Sequence, residues 1–142
     1  MQSVPESTGA RILHVEDEPQ NRALLRAIMA RTDRPELRAA TLLEAPDLAT
    51  ARLMLAGQTV DLVLLDVRLP DGNGLALARE IQEAHGAARP TVIVMSASVL
   101  PSEQKEALES GADAFLSKPY LPSDLVGRIV DALAQPAGRP SS

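Results

Sequence analysis

The sequence predicts an α/β protein, a three-layer α/β/α sandwich around a parallel sheet. Two observations carry this. Short aliphatic runs alternate strictly with longer amphipathic ones along the 142 residues, and strict βα alternation with right-handed crossovers gives a parallel sheet covered on both faces. Two of the runs, Val60–Asp66 (VDLVLLD) and Thr91–Ser96 (TVIVMS), hold unbroken apolar stretches, LVLL and VIVM, rather than alternating, as in strands buried on both sides.

Arg11–Val15 (RILHV) reads as the first strand. Pro19 suits the first turn of the next helix, where its missing N–H is no loss. Leu24, Leu25, Ile28 and Met29 then recur on one helical face. Leu37–Thr41 is a weaker second strand, and a helix from about Pro46 to Ala56 follows, stopped by Gly57. Val60–Asp66 is the third strand, and Gly74 to about Ala84 is amphipathic through Leu75, Ala78 and Ile81. Thr91–Ser96 is the fourth strand, and Pro101, Ser102 and Glu103 open a helix that ends near Gly111. Asp113–Ser117 (DAFLS) is the fifth, before a last helix opened by Pro122, Ser123 and Asp124 that packs Leu125, Ile129, Val130 and Leu133. Five strands thus alternate with five helices. Residues 1–9 and 136–142 are Pro/Ser/Gly-rich and read as flexible tails flanking one domain at 10–135.

Composition narrows the function. Hydrophobic residues are 45% and charged residues 23%, a globular balance. The core must be aliphatic, since Phe115 and Tyr120 are the only aromatics. With no cysteine there is no disulfide, thiolate metal site or Cys nucleophile. A net charge of −5 with scattered arginines argues against a nucleic-acid partner. No apolar run nears the roughly 20 residues of a membrane span, and the first ten residues lack signal-peptide blocks. A cytoplasmic protein with no membrane partner is expected. Only Lys105 and Lys118 among the 14 basic residues are lysines, which draws the eye to each.

In open parallel sheets, ligands bind beyond the carboxyl ends of the strands. The groups ending the strands are Glu16-Asp17-Glu18, Asp66, Ser96 and Ser117-Lys118-Pro119. Each alone has a plainer reading as a turn or helix cap. Their collection at the same end of successive strands points to chemistry. Two carboxylates about 6 Å apart repel by about 3 kcal/mol at an effective dielectric near 20, so Glu16, Asp17 and Asp66 need a compensating charge. Lys118 supplies one, a divalent cation two. Hard oxygen ligands beside a phosphate suit Mg²⁺. Asp66, at the end of a rigid strand, can act as a nucleophile. Lys118 and Ser96 can contact a phosphoryl group on it. Pro119 imposes an extended or turning backbone and permits a cis bond.

With these stretches in place (ILHVEDEPQNR, DLVLLDVRLPDGNG, VIVMSAS and AFLSKPY), the sequence resembles the receiver domain of two-component response regulators, over about 10–135. The resemblance implies a doubly wound, flavodoxin-like sheet of strand order 2-1-3-4-5, with Asp66 as phosphoacceptor. It implies Mg²⁺ bound by Asp17 and Asp66, by Glu16 often through water, and by the backbone carbonyl of Arg68. Ser96 matches the switch hydroxyl, Phe115 the switch aromatic, and Lys118 the phosphoryl-binding lysine. Departures are modest: Glu16 stands where Asp is commoner, Ser96 where Thr is frequent, and Phe115 lacks the phenol of a Tyr. Arg68 and Ser98 occupy positions that tune phosphoryl loss.

The implied cycle takes a phosphoryl group from the phosphohistidine of a histidine kinase or histidine phosphotransfer protein. Ser96 then moves inward, Phe115 follows, and a protein partner reads the changed surface. Arg22, Arg26, Tyr120 and Leu121 are candidate docking points. No second folded segment follows residue 135, so a stand-alone receiver without a DNA-binding output domain is expected. It would be no enzyme beyond its own phosphorylation and dephosphorylation. A haloacid-dehalogenase-like phosphatase would need a second acid where Arg68 stands. A flavin carrier would meet repulsion between its phosphate and Glu16-Asp17-Glu18. The complete set Asp17, Asp66, Ser96 and Lys118 counts against a degenerate pseudo-receiver.

Overall fold

A computed structural model describes residues 9–85, 89–97 and 100–134. The strands are β1 (Arg11–Val15), β2 (Thr41–Ala45), β3 (Leu62–Asp66), β4 (Arg68–Leu69), β5 (Gly72–Asn73), β6 (Thr91–Ser96) and β7 (Ala114–Ser117). The helices are α1 (Pro19–Arg31), α2 (Pro35–Arg38), α3 (Leu48–Gly57), α4 (Gly74–His85), α5 (Pro101–Glu109) and α6 (Pro122–Ala134). Five strands form one parallel sheet, ordered β2-β1-β3-β6-β7. This is the expected flavodoxin-like order, since β6 and β7 are the fourth and fifth long strands. β4 and β5 form a separate antiparallel hairpin. The tail expectations at 1–9 and 136–142 and the tuning position Ser98 lie outside the described residues, Gly9 excepted.

The period-2 geometry of strands sorts the aliphatic residues into two cores. Leu13, Val15, Val63, Leu65, Val92 and Val94 face Leu48 and Ala51 of α3, Leu77, Ala78 and Ile81 of α4, and Ala107 of α5. Their sequence neighbours Ile12, Leu62, Leu64, Ile93 and Met95 face Leu25, Ile28 and Met29 of α1, Leu37 of α2, and Leu125 and Ile129 of α6. Burial on both sides explains why the central strands read as unbroken apolar runs.

Three expectations are corrected. The second strand is Thr41–Ala45, not Leu37–Thr41. Residues 35–38 form a single helical turn with Pro35 at its start, and Leu37 is buried there as a core plug. β2 is an edge strand with a mixed burial pattern, so its periodicity is blurred. Leu24 does not share the buried face of α1: it is 46% exposed. The helix opened near Pro46 begins at Leu48, because the Asp47 side chain caps it by accepting from the Thr50 N–H at 2.8 Å.

His14 sits mid-strand in β1, 1% exposed, with an Nδ1 that has no hydrogen-bond partner. Burial pushes its imidazole from the ordinary 6.5 down to about 4, with Lys118, Arg22 and Arg26 adding to the effect and Glu16 opposing it. The unfolded chain therefore takes up a proton that the folded one refuses. Stability is full above pH 6.5 and falls by about 3 kcal/mol as pH drops toward 4. Urea unfolding at pH 7 and 4.5 without divalent cations should show that loss in the parent and a clearly smaller one in His14→Leu. Equal losses would contradict the assignment.

Candidate functional site

Each long strand delivers its last residues to one rim of the sheet. β1 delivers Glu16 and Asp17, and β3 delivers Asp66. One carboxylate oxygen from each of these three lies within 4.8 Å of the other two. From the far side, β7 delivers Lys118. Its backbone N–H donates to the Ser96 carbonyl at 2.8 Å, and the Lys118–Pro119 bond is cis. The ammonium of Lys118 then stands 2.8 Å from Glu16 Oε1 and 3.5 Å from Asp66 Oδ2.

Glu16 is 1% exposed and meets three donors: Lys118, the Glu18 backbone N–H at 3.2 Å and the Asn21 side chain. Burial pushes its carboxyl up, but these donors, Lys118 foremost, more than reverse that and hold it below the ordinary range. Asp66 responds oppositely. Burial raises its carboxyl, the Glu16 charge adds to this, and Lys118 with the Arg68 backbone N–H offsets only part. Burial also works against the Lys118 ammonium, yet its contacts with Glu16 and Asp66 outweigh it and raise the lysine above its usual value. Three carboxylates against one ammonium leave net negative charge. Two oxygens on one ion at about 2.1 Å span at most about 4.2 Å. A small adjustment of the cluster would therefore hold a hard divalent cation.

The expected residues border two cavities. Ser96, nearly buried, and Phe115 line a cleft of about 640 Å³ with Arg68, Leu75, Glu103 and Glu106. Glu16 and Lys118 instead line a smaller cavity of about 230 Å³ with Asn21, Leu24, Pro119 and Tyr120. Of the docking candidates, Arg22 is engaged internally, donating to the Glu16 carbonyl at 2.7 Å. Arg26 is paired with Glu44 at 2.6 Å. Leu121 is 65% exposed, and Tyr120 is half-buried. Leu24, expected in the core, lines the smaller cavity with Tyr120.

The β4–β5 hairpin is structure that the periodicity of the sequence does not signal, although its turn chemistry lies in PDGNG. A Cβ at Gly74 would stand 2.0 Å from the Asp66 carbonyl oxygen, so no side chain fits there. The Gly74 N–H donates to the Val67 carbonyl at 2.7 Å, and Asn73 Oδ1 accepts from the Leu75 N–H at 2.8 Å, opening α4.

Fold and rim together define a signalling receiver, and the comparisons agree. The family model of the response regulator receiver domain matches residues 12–130, and the chain belongs to that family. The KDP operon transcriptional regulatory protein KdpE of Escherichia coli K12 is 37% identical over 86% of this chain and 50% of its own length. The gliding motility regulatory protein of Myxococcus xanthus is 31% identical over 91% of this chain and 16% of its own. The chain thus spans half or less of these curated relatives. A LuxR-family two-component response regulator from Aurantimonas sp. SI85-9A1 superposes with a TM-score of 0.78 at 29% identity, covering 91% of this chain and 88% of that one. A CheY-like receiver domain protein from Methanospirillum hungatei JF-1 shares the fold, with a TM-score of 0.77 at 23% identity over 89% and 95% of the two chains. No helix among the described residues is long and apolar enough to cross a membrane.

Removing one partner of a buried ion pair strands the other charge. Lys118→Met should lower metal-free stability by on the order of 3 kcal/mol, and Glu16→Gln in the same chain should recover most of it. Urea unfolding checks this. A Lys118→Met protein as stable as the parent would show that Glu16 does not depend on the ammonium.

Proposed function

We propose that this receiver domain accepts a phosphoryl group on Asp66 from the phosphohistidine of a histidine kinase or histidine phosphotransfer protein, with Mg²⁺ as cofactor. The observation that carries the reading is the carboxylate cluster of Glu16, Asp17 and Asp66, two members of which, Glu16 and Asp66, pair with Lys118. Asp17, Asp66, Glu16 and the Arg68 backbone carbonyl would hold the ion. When bound, it supplies positive charge beside the transferring phosphoryl oxygens.

An Asp66 carboxylate oxygen forms the new P–O bond as the P–N bond to histidine breaks. The imidazole nitrogen leaves with the bonding pair and needs no proton to do so if the ring N–H is already in place. Lys118, already near Asp66, screens the charge that arrives with the phosphoryl group. Such transfers need positioning and charge stabilisation more than covalent help from the protein. Burial of Asp66 raises its carboxyl, which favours replacing a crowded anion by an acyl phosphate, a mixed anhydride whose charge sits farther out, against Lys118.

Ser96 and Phe115 share the cleft beside Arg68, which supports their reading as the switch pair. Ser96 would donate its hydroxyl to a phosphoryl oxygen, and Phe115, with no phenol, would follow by packing. A protein partner then reads the altered surface, a two-state population shift. The donor would dock on the apolar patch of Leu24, Tyr120 and Leu121 at the mouth of the site. Arg22 and Arg26 would shape its edge from their internal contacts. A cytoplasmic setting fits such partners.

Acetyl phosphate or beryllofluoride with Mg²⁺ should modify the parent at Asp66, mapped by mass spectrometry, and leave Asp66→Asn unmodified. Label persisting in Asp66→Asn would overturn the phosphoacceptor assignment.

A further inference from the structure

We infer that Asp71 is a positioning residue for phosphoryl transfer, anchoring the phosphoacceptor loop to the N-terminus of α3; the inference rests on the reading of Asp66 as phosphoacceptor. Asp71 lies in the two-residue turn between β4 and β5. Its Oδ1 accepts from the Leu48 N–H at 2.9 Å and its Oδ2 from the Ala49 N–H at 3.0 Å. A carboxylate that takes two first-turn N–H groups satisfies donors with no partner inside the helix and faces the positive end of its dipole. The Leu48 N–H, then that of Ala49, holds the Asp71 carboxyl below its ordinary range.

The anchored object is small. β4 and β5 contribute only Arg68↔Asn73 and Leu69↔Gly72 as paired positions, and a two-stranded hairpin is marginal by itself. Its first residue, Arg68, gives its backbone N–H to the Asp66 carboxylate, and its carbonyl is a proposed metal ligand. Drift of the hairpin would move both groups.

The anchor, by contrast, is rigid. Leu48 and Ala51 pack in the core, Asp47 caps the helix through Thr50, and Arg52 holds Glu80 of α4 with two hydrogen bonds at 2.9 and 2.7 Å. Gly72, at φ +148°, lets the turn close on the helix, since a Cβ there would lie 3.1 Å from Leu48 Cδ1. Asp47 and Asp71 therefore serve different purposes at one helix end. Asp47 stabilises the helix; Asp71 fixes the loop relative to it.

Three variants separate these roles: Asp71→Ala, Asp71→Asn and Asp47→Ala. The first readout, without metal or phosphodonor, is the Arg68 amide resonance in ¹H–¹⁵N spectra. The second is the phosphorylation rate with acetyl phosphate at saturating Mg²⁺, below the melting temperature of every variant. Asp71→Ala should move the Arg68 resonance and slow phosphorylation between about tenfold and a hundredfold, the scale of a misplacement near 1 Å. Asp71→Asn keeps one acceptor oxygen and should recover most of the rate. Asp47→Ala should lower the melting temperature yet keep the rate within about twofold of the parent. An unmoved Arg68 resonance with a parental rate in Asp71→Ala would overturn the proposal. So would equal slowing in Asp47→Ala, which would trace the effect to helix stability. If Asp71→Ala does not fold, Asp71→Asn decides: a smaller slowing with a shifted Arg68 resonance supports the anchor, and parental values of both refute it. A parent that acetyl phosphate leaves unmodified would sink the reading of Asp66, while the Arg68 resonance would still decide the Asp71 contact.

Discussion

The ammonium of Lys118, 2.8 Å from the buried Glu16 carboxylate and 3.5 Å from Asp66, is the contact that the rim of this protein depends on. A carboxylate at 1% exposure is tolerable only with a charged partner and further donors. Lys118 can reach it because β7 occupies the sheet edge next to β6 and the backbone turns at Pro119, with the Lys118 N–H tied to the Ser96 carbonyl. One cation holds Glu16 ionised and still leaves Asp66 pushed toward its neutral form. The site is thus under-neutralised, as the proposed cation and phosphoryl chemistry requires.

The sheet supplies the rigidity that this needs. Its central strands are locked between two apolar layers, so the carboxyl ends of β1 and β3 are fixed against each other by parallel pairing from Ile12↔Leu62 to Val15↔Leu65. Beyond those ends the chain is held by local devices: Gly74 nested against the Asp66 carbonyl, and Asp71 on the first turn of α3. Ser96 and Phe115 open onto a cleft beside Arg68. The same loop residue therefore borders both the acidic cluster and the cleft.

Much of this was legible in the sequence, for identifiable reasons. The unbroken runs LVLLD and TVIVMS admit little but doubly buried strands, and strand ends in a parallel sheet must meet at one rim, so Glu16, Asp17, Asp66 and Lys118 could be placed together. β2 was misplaced because an edge strand is not buried evenly and Leu37, its most hydrophobic lead-in, belongs to a helical turn. Leu24 fits the helical spacing of its neighbours but falls just past the boundary of the buried face, a matter of tens of degrees that no spacing rule resolves. The tie between Asp71 and residues 48 and 49 was invisible, because the acceptor lies 23 and 22 positions from its donors and looks like ordinary turn chemistry. The internal partners of Arg22 and Arg26 escaped the sequence likewise.

The function proposed for the anionic rim requires it to be a cation site rather than a set of helix caps. Calorimetric titration with magnesium tests this most directly, run on the parent and on Asp17→Asn with their metal-free melting temperatures recorded alongside. A cation site should show saturable binding of one ion per parent chain, loss of that binding in Asp17→Asn, and a higher metal-free melting temperature for the variant, because a repelling charge has gone. Absence of binding to the parent, together with a lower melting temperature for Asp17→Asn, would contradict it.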